Sequence, residues 1–155
     1  MAELATEPLV VRRETQVAAP PATVFAYLTD PDKILRWMGT EATTELQPGG
    51  LYMVKGIANG PRVARGTFRE VVPVHRLAYS FGWEGRDEVP PGSSLVEIDL
   101  IERDGGTLVR LTHSGLPNAQ QCAEHTTGWT HYLERIAIAA AGGDPGPDWT
   151  YRSQN

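Results

Sequence analysis

Apolar and polar positions alternate with a period of two through the middle of the chain. Leu77, Tyr79, Phe81 and Trp83 alternate with Ala78, Ser80 and Gly82, and Val96, Ile98 and Leu100 alternate with Glu97, Asp99 and Ile101. Val109, Leu111 and His113 alternate with Leu108, Arg110 and Thr112. In a pleated strand such a pattern sends one set to each face, so these segments read as strands with one apolar side. Short β-rich runs near 42–46, 51–57, 62–72, 75–83, 93–103 and 106–114 are separated by turn residues, which predicts an antiparallel meander. Pro48-Gly49-Gly50, Asn59-Gly60-Pro61 and Asp104-Gly105-Gly106 supply the hairpin chemistry. The connection from Glu84 to Ser94 is longer and rich in charge, Pro and Gly, a composition common in loops that rim a site.

Ahead of the meander, Leu9 to Val17 reads as a first strand, ended by Ala18-Ala19-Pro20-Pro21. Proline suits the first turn of a helix and not its interior, which predicts a short helix from about Pro21 to Leu28. Asp30 as a cap with Pro31 at the first helical position predicts a second, running to about Trp37. After the meander the period changes to 3.6. From Asn118 to Ala141, Cys122, Thr126, Trp129, Leu133, Ile136 and Ala140 fall in one stripe, with His125 and Tyr132 on its shoulder and His131 on the polar side. Asn118 and Gln121 form a capping-box pair and Gly142-Gly143 a stop. At about 1.5 Å per residue this helix is roughly 36 Å long, enough to cover the apolar side of a curved sheet. Asp144 to Asn155 reads as a tail that Trp149 or Tyr151 would pin.

A length of 155 residues suits one domain, placed at 9–142 between an extension at 1–8 and the tail at 143–155. The formal charge of −5 provides no basic field for nucleic acid or an anionic membrane, and neither is expected as a partner. No run approaches the roughly 20 apolar residues of a membrane span. Met1 to Pro8 lacks both the basic and the apolar regions of a signal peptide. Cys122 is the lone cysteine, so no internal disulfide forms and a cytoplasmic location is expected.

Particular residues carry a family resemblance. They are Ala19-Pro20-Pro21, Val24-Phe25, Leu28-Thr29-Asp30-Pro31, Arg36-Trp37, Pro48-Gly49-Gly50, Gly66 through Pro73 running into Arg76-Leu77, Thr107, and Leu111-Thr112-His113. His125, Gly128-Trp129 and Leu133 then form a His-x-x-Gly-Trp helix pattern. Over about residues 10–141 the chain resembles the START-like (SRPBCC) superfamily, in particular its activator-of-heat-shock-protein-90-ATPase-like branch. The resemblance implies an α+β helix-grip fold: a curved antiparallel sheet of about seven strands wrapped around a long C-terminal helix, with two short helices after strand 1. It also implies a deep cavity between sheet and helix, which the superfamily uses for lipids, sterols, polyketides and other hydrophobic molecules. It does not imply chaperone regulation, because the activator that names the branch has a further amino-terminal domain.

On that fold the candidate ligand-binding residues are the wall Phe68, Tyr79, Phe81 and Trp83, the helix residues His125, Trp129, Tyr132 and Leu133, the strand residue His113, and Trp37 and Met38 at the entrance. Each has a plainer reading. Trp129 reads first as core, because a ring in a helical stripe buries a large area. His113 reads as a paired structural histidine, since a buried imidazole needs partners. His75 at a turn and His131 on the polar helix face both read as solvated. No nucleophile elbow, phosphate loop, His-Glu-x-x-His or dinucleotide fingerprint occurs, so no catalytic residue is assigned and no cofactor is expected. A His113, His125 metal pair lacks a third ligand, so no metal is expected either. Three functions stay open: a module that senses, carries or sequesters a small hydrophobic or aromatic ligand; a cyclase- or dehydratase-like enzyme using His113, His125 or Tyr132 as acid–base groups; and an interaction protein, including a homodimer.

Overall fold

The computed structural model describes residues 9–149. Tyr151 and the extension at 1–8 lie outside the described residues. The elements run β1 (Val11–Val17), α1 (Pro21–Thr29), α2 (Pro31–Ile34), β2 (Glu41–Thr44), β3 (Leu51–Ile57), β4 (Arg62–Val72), β5 (Arg76–Phe81), β6 (Ser94–Arg103), β7 (Gly106–Ser114) and α3 (Ala119–Ala140). The seven strands form one antiparallel sheet in the order β1-β7-β6-β5-β4-β3-β2. With two short helices after β1 and the long α3, this is the helix-grip fold.

The inward sets follow the alternation. Val96, Ile98 and Leu100 of β6 and Val109, Leu111 and His113 of β7 are all buried. Register aligns Val96 with Tyr79 on one side and His113 on the other, so the apolar residues of β5, β6 and β7 lie in rows beneath α3. The outer set of β5 is less bare than its small side chains suggest. Ala78 and Ser80 are buried, and the Ser80 hydroxyl accepts from the Thr67 amide at 2.9 Å. Beside them Arg76 bridges to Glu70 of β4 and to Glu97 and Asp99 of β6, so long side chains of neighbouring strands cover this face.

Several boundaries move for local reasons. The first strand begins at Val11, where pairing with His113 begins. The second short helix stops at Ile34 because the amides of Trp37 and Met38 both turn back to the Ile34 carbonyl. The Trp37 indole then donates to the Tyr27 carbonyl at 2.8 Å, fixing the ring against α1. The β3–β4 turn centres on Ala58 and Asn59, both at positive φ, one residue earlier than Asn59-Gly60-Pro61 suggests. Gly60 closes it by donating to the Ile57 carbonyl. Gly82 is required by a close approach: a Cβ there would lie 1.9 Å from the Pro90 carbonyl oxygen. That approach folds the long loop back, so Val89 enters the core while the Trp83 amide donates to its carbonyl at 2.7 Å.

In α3 the buried stripe is His125, Trp129, Tyr132, Leu133, Ile136, Ala139 and Ala140. It is rotated from the expected one: Cys122 and Thr126 are half-buried, and His125 and Tyr132 take the centre. The rotation is tolerable because the polar atoms of both residues find partners, as shown below. Asn118 caps the helix by accepting from the Gln121 amide at 2.9 Å. Among the described residues no helix is long and apolar enough to cross a membrane.

Candidate functional site

Between the first half of α3 and the sheet lies a cavity of about 80 Å³. Phe81 and Trp83 form its floor, and His125, Gly128, Trp129 and Tyr132 its helix wall. Met38, Ile57 and Ala58 close one side, and Arg86, Glu88 and Val89 of the long loop the other. Arg62, Gln121 and Glu124 add polar groups, and Trp149 of the tail completes the outer wall.

Of the residues singled out from sequence, Met38, Phe81, Trp83, His125, Trp129 and Tyr132 border this space, whereas Trp37, Phe68, Tyr79, His113 and Leu133 do not. The reason is packing. Tyr52 stacks on Tyr79 with ring centres 4.0 Å apart, and Phe68 meets both edge-on. These three rings, all buried, fill the sheet-to-helix space that the resemblance left open as a deep cavity. Burial pushes the Tyr52 hydroxyl up to about 12 and Tyr79 well above its ordinary value, so both stay neutral. Trp129 borders the remaining space and does not fill it.

The wall is organised by two tryptophan–histidine pairs. The Trp83 indole donates to His125 Nε2 at 3.0 Å, and the Trp129 indole donates to His113 Nδ1 at 3.0 Å. An indole N–H is only a donor, so each accepting nitrogen is unprotonated and the proton sits on the other one. His125 Nδ1–H therefore donates to the Gln121 carbonyl at 2.8 Å. His113 Nε2–H donates to Ser94 Oγ at 2.8 Å, and that hydroxyl donates to the Phe81 carbonyl at 2.8 Å. The two imidazoles meet edge-to-face with centres 5.1 Å apart, and Phe81 packs against both. Burial, with the neighbouring His125 adding to it, lowers His113 to about 3; burial lowers His125 as well. Both rings are neutral, with every nitrogen occupied. Among the described residues no group of three potential metal ligands comes together.

The tail brings Asp148 to the site, a residue that the pattern alone did not reveal, beside the Trp149 named above. Trp149 stacks on His131 with centres 3.7 Å apart, and His131 Nε2 lies 2.8 Å from Asp148 Oδ1. His131, expected to be solvated, is thus half-buried beneath the tail. The Tyr132 hydroxyl accepts from the Ala58 amide at 2.9 Å and donates to Asp148 Oδ2 at 2.6 Å. Burial followed by that bond raises the Tyr132 pKa. Burial also works to raise Asp148, but the bonds from Tyr132 and His131, the Trp149 amide and the Arg135 charge outweigh it and the net shift is downward. Cys122 is half-buried, and burial raises its thiol.

Over residues 18–141 the chain matches the sequence profile of the family described as Activator of Hsp90 ATPase homolog 1-like protein. It belongs to that family. An AHSA1-like protein from Rhizobium etli, solved by NMR, is 68% identical, with a TM-score of 0.74 and coverage of 96% of this chain and 92% of that one. CalU16 from Micromonospora echinospora is 27% identical, with a TM-score of 0.67 over 88% of this chain and 86% of that one. Aha1 from Colwellia psychrerythraea, solved as a dimer, shares 16% identity and the fold, with a TM-score of 0.73 over 86% of this chain and 97% of that one. No curated protein matches the chain. The AHSA1-like match ends at residue 141, before the tail that closes the cavity.

Proposed function

We propose that this AHSA1-like chain holds a small apolar or aromatic molecule between α3 and the sheet, as a sensor, carrier or sequestering protein. The observation that carries the reading is a cavity walled by Phe81, Trp83, Trp129 and Trp149, with charged groups confined to Arg62, Arg86, Glu88 and Glu124. Apolar walls with a few placed polar groups are what a ligand site requires. Size limits the guest. The cavity of about 80 Å³ is smaller than the roughly 150 Å³ of an apolar cavity that takes up benzene, and far below the roughly 300–1,000 Å³ of ordinary ligand sites. Burying about 150 Å² of a single ring at ~25 cal/mol/Å² contributes about 4 kcal/mol, which corresponds to millimolar binding. A micromolar guest must bury about twice as much, so the cavity must widen to take it.

The acid–base reading has less support. His113, His125 and Tyr132 all hold partners, and His113 does not border the cavity. A homodimer is a separate proposal, supported by the shared fold of the dimeric Colwellia Aha1; sedimentation at high concentration tests it. The unpaired Cys122 supports a reducing compartment, the cytoplasm, as its place. To test the ligand reading, the chain is titrated with naphthalene-sized aromatics and medium-chain fatty acids while the indole N–H resonances are followed. Saturable shifts at Trp83 and Trp129 are expected. Unmoved indole signals at millimolar concentrations of every compound would sink the proposal.

A further inference from the structure

Residues 144–149 have no regular secondary structure, yet they are tied at both ends of their course. Arg135 donates to the carbonyls of Trp37, Pro145 and Pro147. Gly142, at φ +96°, and Gly143, whose amide returns to the Ile138 carbonyl, reverse the chain at the end of α3. Beyond that reversal Asp148 enters a polar cluster with its side chain only 12% exposed. Its carboxylate accepts from the Tyr132 hydroxyl, lies 2.8 Å from His131 Nε2, and has the Arg135 guanidinium at 3.8 Å. From the opposite side the Asn59 amide donates to the carbonyls of Asp148 at 2.7 Å and Trp149 at 3.3 Å. Asn59 belongs to the β3–β4 turn, which also supplies the Ala58 amide bonded to Tyr132. The strap therefore crosses from helix to turn over the mouth of the cavity, and Trp149 borders the space within.

We infer that residues 144–149 form a latched lid over the cavity, with Asp148 as the latch and Trp149 as a wall that touches the guest and selects for flat, aromatic ones. This inference rests on the ligand-binding reading. The inner walls are held by strands, by α3 and by the two tryptophan–histidine pairs, and the loop wall is seated by Val89, which is buried in the core and whose carbonyl accepts from the Trp83 amide. The lid is held by hydrogen bonds to the Asp148 carboxylate, by bonds from Arg135 and Asn59 to its backbone carbonyls and by the stack of Trp149 on His131, and water can replace each of the hydrogen bonds when the strap lifts. Lifting it removes Trp149 from the cavity and widens the space beside Gly128, where a Cβ would meet nothing within 4 Å. Entry of a guest larger than one ring then requires no rearrangement of the sheet. On closure the indole of Trp149 offers a face to the guest, and offset or edge contacts between rings favour aromatic over aliphatic occupants. The lid lies beyond the part of the chain that matches the family profile.

The test uses the full chain with Asp148→Asn, Tyr132→Phe and Trp149→Ala, each checked for native amide shifts at Val96, Ile98 and Leu111. The first readout needs no ligand: the hydrogen-exchange rate of the Trp83 indole N–H, which is bonded to His125, both residues bordering the cavity. Asp148→Asn and Tyr132→Phe break the latch from its two sides, and each is expected to speed this exchange about tenfold or more while the β6 and β7 amides are unchanged. Exchange at the wild-type rate in both variants overturns the lid. The second readout is binding of 1-anilinonaphthalene-8-sulfonate by stopped-flow fluorescence. Latch variants are expected to bind it about tenfold faster, and Trp149→Ala to release it about tenfold faster. Association and release unchanged in all three variants also overturn the lid, though binding itself then still supports the cavity. Accelerated exchange with no dye bound at the cavity by any variant leaves the lid standing and removes the ligand-binding reading beneath it.

Discussion

Acidification should unfold this protein earlier than its exposed carboxylates alone would dictate, because His113 is buried in neutral form. Its ring is fully buried and its folded pKa is about 3, against 6.5 for the free side chain. Between those values the unfolded chain binds a proton that the folded chain refuses, so stability rises with pH in this window and falls as pH drops from 6.5. Each fully displaced proton is worth about 1.4 kcal/mol per pH unit. Integrated from pH 6 to pH 4, His113 alone removes roughly 2–3 kcal/mol. His125 is shifted in the same direction and steepens the loss. For a domain of about 5–15 kcal/mol this is a large fraction. The assay is urea unfolding at pH 7, 6, 5 and 4 for the wild type and for His113→Asn, whose amide oxygen replaces Nδ1 as acceptor for the Trp129 indole. The variant is expected to start about 1–3 kcal/mol lower, from the lost Nε2–H bond to Ser94, and then to decline with a slope shallower by about one proton. If the gap between the two proteins at pH 4 equals the gap at pH 7, His113 is not neutral in the fold and the relay from Trp129 to Phe81 is misassigned.

Three further outcomes follow from local geometry. Ser94→Ala leaves His113 Nε2–H and the Phe81 carbonyl without their partner in a buried place and should cost about 2–3 kcal/mol in denaturant unfolding; a loss under about 0.5 kcal/mol would contradict the relay. Gly128→Ala places a methyl in open space on an internal helix position and should stabilise the protein by about 0.5–1 kcal/mol, seen as a higher thermal midpoint; a destabilised variant would mean that the helix wall is closer-packed than described. Gly82→Ala drives a Cβ into the Pro90 carbonyl and should lift the loop that seats Val89, costing about 2 kcal/mol or more and shifting the Val89 methyl resonances; unchanged Val89 signals would refute the close approach.

The sheet was legible because period-two alternation has only one reading once its length and its turns are given, and β6 and β7 appear as expected. The two short helices were legible from Pro21, Asp30 and Pro31, although Trp37 turned back where helical periodicity would have continued. The site was legible only in part. Alternation places Phe81 and Tyr79 on the same face, but whether a ring borders a space or fills it depends on its neighbours across the ladder. Tyr52, opposite Gly66 on β4, stacks on Tyr79 of β5, a contact that no local pattern encodes. The helix stripe was misplaced for a related reason. Assigning His125 and Tyr132 to the shoulder treats them as polar, whereas inside the fold their polar atoms meet Trp83, Gln121, Ala58 and Asp148 and the rings bury as if apolar. The tail contact with His131 had a single signal, an aromatic at Trp149 after two prolines, and its docking depends on an Asp148 whose partners lie on α3.

These features together explain why the described cavity has both stiff and yielding walls. Here each tryptophan on the inner wall is oriented by a histidine, and each histidine is oriented in turn by a backbone carbonyl or by Ser94, so a rotation of Trp83 or Trp129 strands a buried donor. The penalty keeps the inner wall in one arrangement without introducing charge, because both imidazoles are neutral. Asp148 makes the opposite choice. Bonds from Tyr132 and His131 and the nearby Arg135 guanidinium hold it in its charged form, and it sits where water arrives as soon as the strap lifts. Neutral relays therefore set the shape of the site, and a single charged latch sets how often it opens.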